Sequence, residues 1–153
     1  MASQPQPAPS LDLLTALRDL HVTLDHFDAD IAAQLGLARN DLKCVHLLVA
    51  EGSASPKRIM AQLALTSGTV TTLIDRLEAQ GWARRLPDPK DRRGVRVEPT
   101  RKAKRDLAGL YGPMSEVIGK FEGRLGEERS QTAAKQVNDC TRLVAWAQTQ
   151  LRD

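Results

Sequence analysis

The run SPKRIMAQLALTSGTVTTLIDRLEAQG, Ser55 to Gly81, constrains this chain more than any other. It reads as two helices with almost nothing between them. Ser55 is a natural cap, and Pro56 occupies the first helical position, where its missing N–H costs nothing. Ile59, Met60 and Leu63 form the buried side of a short helix. Leu65-Thr66-Ser67 breaks the chain and restarts it. The second helix turns Val70, Leu73, Ile74 and Leu77 inward, and Gly81 follows its end, where a left-handed residue belongs. Two helices joined by a tight turn, the second rich in small hydroxyl residues, form the helix-turn-helix pattern.

The outer faces of that second helix carry Ser67, Gly68, Thr69, Thr71, Thr72 and Arg76, with Thr69, Thr72 and Arg76 on one side at i, i+3 and i+7. Small donors near a helix N-terminus suit a DNA major groove: they let the backbone approach, bond phosphates or base edges, and present methyls to thymine. Taken alone, the same face also fits a polar helix in water.

The adjoining segment shifts that balance. Between Gly81 and Arg105 stand ten Lys/Arg and three acids, a local charge of +7 in a chain of net +3, so the remainder is acidic. Concentrated positive charge is the footprint of a phosphate-backbone binder, although membranes and acidic partners also attract it. Trp82–Leu86 and Val95–Glu98 read as two strands of a hairpin with an eight-residue connection, PDPKDRRG. In such a hairpin Arg92 and Arg93 sit at the tip, suited to a narrow minor groove, with Lys90 beside them. Arg84, Arg85 and Arg96 serve as phosphate contacts from the stem. Asp91, and Asp75 on the preceding helix, are placed to brace arginine side chains through charge-assisted bonds.

The flanks are helical. From a cap at Ser10, Leu13, Leu17, Leu20, Leu24, Phe27 and Ile31 recur at near-heptad spacing, and Gly36 ends this first helix, over 10–35. A helix starting at Asn40-Asp41 buries Leu42, Val45, Leu48 and Val49 and stops at Gly52. Thr100 caps a long helix with a seam from Ala103 to Leu125, in which Pro113 predicts a kink or break. A last helix repeats the heptad pattern from Ala133 to Leu151. Three near-heptad stripes expose more apolar surface than one small lobe can cover, which predicts a dimer. The fold class is mostly α with a small β-hairpin wing. A flexible tail, 1–9, precedes a single domain, 10–151, in which 40–99 is the DNA-reading lobe and 10–35 with 100–151 form the dimerisation helices.

Thr66 to Thr100, TSGTVTTLIDRLEAQGWARRLPDPKDRRGVRVEPT, closely resembles the MarR family of winged helix-turn-helix transcriptional regulators. The specific parts are TVTTLIDRLEAQG, then Arg84-Arg85, then DPKDRR followed by VRV and a threonine opening the next helix. The order of helices extends the resemblance over Ser10 to Leu151. It implies a homodimer on a near-palindromic operator, usually a repressor, released by a small aromatic or phenolic effector. Thr69 and Thr72 match the groove-reading positions, and Asp91 and Arg93 match the aspartate and arginine of the family's wing. Pro99 and Ala103 depart from the family's usual aliphatic residue and glycine at the entry to the long helix.

Other chemistries have little support. No nucleophile elbow, Gly-rich phosphate loop or HExxH pattern points to an enzyme, and no cofactor is expected. His21 and His26 are five apart, a poor ligand spacing, so no metal site is expected. His21 and His46 are instead candidates to line an effector pocket. Cys44 and Cys140 read as core residues, with a redox-responsive regulator as the alternative use. A second alternative puts the winged helix to work on a protein partner, but the threonine-rich face lacks the large anchors such a role needs. No apolar run reaches the ~18 residues of a membrane span, and the N-terminus lacks signal-peptide features, so a cytoplasmic location is expected.

Overall fold

The computed structural model describes residues 12–89 and 91–151; of Asp91, Arg92 and Arg93 it describes the backbone but not the side chains. In order the elements are α1 (Leu13–Leu35), α2 (Arg39–Glu51), α3 (Pro56–Leu63), α4 (Ser67–Ala79), β1 (Ala83–Asp88), β2 (Asp91–Pro99), α5 (Arg101–Leu125) and α6 (Glu127–Gln150). This is the mostly helical, winged architecture expected from the sequence. Contacts divide it into residues 1–107 and 108–153.

In the first unit the expected punctuation holds. Ser55 accepts the Arg58 N–H at 3.2 Å and caps α3, with Pro56 at its start. The turn to α4 is made by Ala64, a non-glycine residue at φ 51°, whose N–H returns to the Met60 carbonyl. Thr66 caps α4 by accepting the Thr69 N–H. Gly81 has φ 74°, and the next N–H, of Trp82, reaches the Leu77 carbonyl at 2.8 Å, closing the helix end. Leu42, Val45 and Leu48 of α2, Ile59 of α3, and Val70, Leu73, Ile74 and Leu77 of α4 are fully buried. Each contributes about 1.5–3 kcal/mol of transfer free energy. Val97 of β2 closes this core and exchanges backbone hydrogen bonds with Ala54 at 2.8 and 2.9 Å, so the α2–α3 connection forms a short third rung beside the hairpin.

Four local expectations are corrected. Asp12 caps α1, taking the Thr15 N–H at 3.0 Å and hydroxyl at 2.7 Å; Ser10 lies outside the described residues. α2 begins at Arg39, with Ala38 as a cap that offers no side-chain bond, and Asp41 turns inward instead of capping. The hairpin has strands reaching Asp88 and Asp91, not an eight-residue connection. Pro87 lies within β1, where a proline N in a two-stranded hairpin can face outward without losing a ladder bond. α5 runs through Pro113 as one helix, so of the expected kink or break the break does not occur.

Thr100 starts α5 as expected, accepting the Ala103 N–H at 3.2 Å. Pro99 and Ala103, the two departures from the family pattern, are both buried in this junction. Lys102 places its ammonium 2.9 Å from the centroid of the Trp82 ring. In the second unit, α6 has no buried residue, and Val137, Leu143, Val144 and Trp146 are exposed along it.

Candidate nucleic-acid interface

α4 presents Ser67, Gly68, Thr69, Thr71 and Thr72 to solvent on the sides away from its aliphatic stripe. Their hydroxyls are oriented by the helix itself. Thr71 donates to the Ser67 carbonyl at 3.1 Å and Thr72 to the Gly68 carbonyl at 3.2 Å. Thr69 and Thr66 share a hydroxyl–hydroxyl bond at 2.8 Å. With its donor turned back to the helix, each of Thr71 and Thr72 leaves lone pairs and a methyl outward. A Cβ on Gly68 would meet nothing within 4 Å, so this glycine leaves an open notch in the face.

Arg76 is exposed on α4, as expected, but its guanidinium has a partner within the lobe. Its Nε donates to Oδ2 of Asp41 at 2.7 Å and its Nη2 to Oδ1 at 2.5 Å. Asp41 is 1% exposed, the one buried charged residue of the described core. The hydrogen bonds to Asp41 raise the Arg76 pKa further above its ordinary value. Arg76 is therefore tied to Asp41 through Nε and Nη2 while its side chain stays exposed. Asp41 escaped the sequence reading because an acid at a helix start looks like a cap, and nothing local marks a partner so distant along the chain.

The other flank of α4 holds β1. Arg85 bridges Asp75 at 2.6 Å and also pairs with Glu78, whose other carboxylate oxygen accepts the Arg85 backbone N–H at 2.6 Å. The expected role of Asp75 in bracing an arginine matches this contact. Glu78 was missed, although three residues beyond Asp75 it falls on the same flank. The stem arginines are likewise engaged. Arg84 pairs with its cross-strand neighbour Glu98 at 3.0 Å, and Arg96 donates through Nε to the Ser53 hydroxyl at 2.9 Å and through Nη2 to the Ser53 carbonyl at 3.2 Å. Arg84 keeps an exposed side chain, whereas Arg85 and Arg96 are half-buried.

At the far end of the wing the register jumps. Pro87 pairs with Val95 and Asp88 with Asp91, so β1 advances one residue while β2 advances four. Arg92, Arg93 and Gly94 form the resulting bulge within β2. The side chains of Asp91, Arg92 and Arg93, and all of Lys90, lie outside the described residues.

The two histidines offered for an effector pocket differ in their surroundings. His21 is exposed on α1. His46 is half-buried and lines an open depression of about 490 Å³ with Lys43, Leu47, Ala50, Gln62 and Leu63, between α2 and α3. Burial lowers its pKa, against an opposing pull from Asp28. Cys44 is fully buried, and burial pushes its thiol up to about 12, so the redox alternative loses that residue as a reactive thiolate. Cys140 is half-buried on α6. Among the described residues no cluster of three or more His, Cys, Asp or Glu could hold a metal ion, and no helix is long and apolar enough to cross a membrane.

Fold and face together define a winged helix-turn-helix protein with an exposed threonine-rich helix face. A sequence profile described as the MarR family matches residues 37–95, from the start of α2 into the wing. YcgE of Bacillus subtilis (strain 168), an HTH-type transcriptional regulator, is 37% identical over 90 residues, 59% of this chain and 58% of its own. The chain spans about half the length of the curated relatives it matches. Among solved structures, the transcriptional regulator Tm0710 from Thermotoga maritima aligns with a TM-score of 0.62 at 24% identity, over 88% of this chain and 95% of that one. NadR in complex with 4-hydroxyphenylacetate aligns with a TM-score of 0.64 at 18% identity, over 92% and 97%. Residues 37–95 thus match the MarR family, and the match covers the winged lobe from α2 into the wing.

Proposed function

We propose that the protein is a sequence-specific regulator of transcription that binds double-stranded DNA as a homodimer. The observation that carries this reading is the exposed threonine and glycine face of α4 beside a basic hairpin. Ser67, Gly68, Thr69 and Thr72 would enter the major groove, and Arg92, Arg93 and Lys90 the adjacent minor groove or its phosphates. Arg84 is the best placed of the stem arginines to add a phosphate contact. The exposed leucines, valines and tryptophan of α1 and α6 supply the apolar surface that a second copy would cover. Two copies of α4 would then address half-sites about one helical turn (~34 Å) apart. The family resemblance favours repression relieved by a small effector, and NadR's bound 4-hydroxyphenylacetate favours an aromatic acid or phenol. A cytoplasmic location follows from this role.

The test begins by selecting duplexes from a random-sequence pool with the wild-type protein. Gel shifts across salt then read affinity, and light scattering reads the oligomer. Enrichment of a near-palindrome, affinity that falls steeply with salt, and a dimer mass are expected. A monomer, or a pool that stays random, overturns the reading.

A further inference from the structure

We infer that Asp41 and Arg76 form a clamp that aims α4 at DNA, making Arg76 a positioning residue and not a phosphate contact. This rests on the DNA-binding reading. Both oxygens of a fully buried carboxylate are taken by one guanidinium, at 2.5 and 2.7 Å. A side-on, two-bond pairing fixes direction as well as distance. The two partners also suit their helix ends: Asp41 lies in the first turn of α2 and Arg76 in the last turn of α4, each charge where the helix dipole favours it.

The geometry of α4 explains why such a clamp matters. Arg76 reaches α2 from one flank, and Asp75 and Glu78 hold Arg85 of β1 from the other. Between these flanks, opposite the buried stripe, lie Gly68 and Thr72. The aliphatic stripe alone gives α4 a greasy seat on which it can roll. Polar bonds on both flanks fix that roll, and the roll decides which residues face a groove. The Asp41 carboxylate cannot be left empty, because a buried charge without a partner is strongly unfavourable. Releasing Arg76 to a phosphate would impose that cost on Asp41.

The two roles differ in sign. If Arg76 gripped a phosphate, Asp41 would compete with DNA, and Asp41→Asn would tighten binding. If the pair is a clamp, Asp41→Asn weakens binding. The experiment uses the full-length protein, a duplex selected by the wild type and a scrambled duplex of the same length. For Asp41→Asn and Arg76→Gln the clamp predicts roughly tenfold weaker binding of the selected duplex. Affinity for the scrambled duplex and the salt slope stay at wild-type values, because no phosphate contact is lost. A change that merely lowered the folded fraction would weaken both duplexes alike. The double variant, Asp41→Asn with Arg76→Gln, restores a neutral hydrogen-bonded pair and is expected to bind no worse than either single variant. It carries the same test where a single variant fails to fold. Tighter or unchanged binding by Asp41→Asn, or a salt slope reduced by ~0.9 in Arg76→Gln or the double variant, overturns the clamp. Absence of salt-dependent DNA binding by the wild type would instead sink the DNA-binding reading itself.

Discussion

Thr100 and Gly81 tie the end of α4 to the start of α5: the Thr100 hydroxyl donates to the Gly81 carbonyl at 2.7 Å. The same oxygen accepts the Ala103 N–H, and the Thr100 N–H donates to the Trp82 carbonyl at 3.1 Å. One side chain thus caps a helix and holds both ends of the hairpin base together. Thr100→Val keeps the shape but loses the hydroxyl. A loss of about 1–2 kcal/mol is expected in urea unfolding, since a cap and an orphaned carbonyl are involved. A cost below a few tenths of a kcal/mol would mean that Lys102 over Trp82 holds the junction by itself.

Asp75 and Glu78 share Arg85 but not equally. The Asp75 side chain is largely in water, whereas Glu78 is more sheltered and also takes a backbone N–H. Glu78→Gln is expected to cost about 1–2 kcal/mol and Asp75→Asn under about 1 kcal/mol. The order of the two costs, read from denaturation midpoints, is the check.

Gly68 offers a separation of stability from function. A methyl there meets nothing and replaces a poor helix former by the best, so Gly68→Ala should stabilise by about 0.5–1 kcal/mol. The same methyl would fill the notch on the groove-facing side. A higher melting temperature with weaker binding of the selected duplex is expected; unchanged binding would move the DNA contact away from Gly68.

Cys44 should make stability fall in alkali. Its thiol is held near 12 in the folded protein against an ordinary value of 9.0. Above pH 9 the unfolded chain loses this proton while the folded chain keeps it, so unfolding is favoured by up to about 1.4 kcal/mol per pH unit. The slope is fully developed between the two values and absent below pH 8. Cys44→Val should remove that part of the slope. The native thiol should also resist iodoacetamide at pH 8.

Leu143, Val144 and Trp146 are exposed on α6. If they lie in the proposed dimer interface, Leu143→Asp buries a charge there at a cost of about 2 kcal/mol or more, weakening the dimer roughly thirtyfold or further. Light scattering over a dilution series reads the shift toward monomer, and circular dichroism checks that the helices persist.

Features set by neighbours along the chain were the legible ones. Ser55-Pro56, Thr66 and Gly81 bracket α3 and α4 by local chemistry, and the 3.6-residue period marks Val70, Leu73, Ile74 and Leu77 for burial. Pairings across space were opaque. Arg76 shows only that it shares a side with Thr69 and Thr72; Asp41, 35 residues earlier, is the partner its exposed side chain reaches back to. The bond from Arg96 to Ser53, 43 residues away, is equally invisible in the sequence. The prolines mislead in one direction. Pro87 weakens the strand pattern of a hairpin that forms, and Pro113 signals a kink or break in a helix that continues. In each case the rest of the element's hydrogen bonds outweighed one missing donor.

The register jump frees the far end of the wing from a constraint that governs its base. Along the stem, alternate side chains face opposite sides, so inserting a single residue before Val97 would turn it out of the core and swing Arg96 away from Ser53. Past Pro87 that count has already lapsed, and the pairing no longer depends on parity. Insertions and deletions between Asp88 and Val95 should therefore be tolerated where those nearer the base are lethal to the fold. The hairpin is built to vary in reach at one end only, which gives natural variants a way to adjust how far the wing extends without refolding the lobe that holds it.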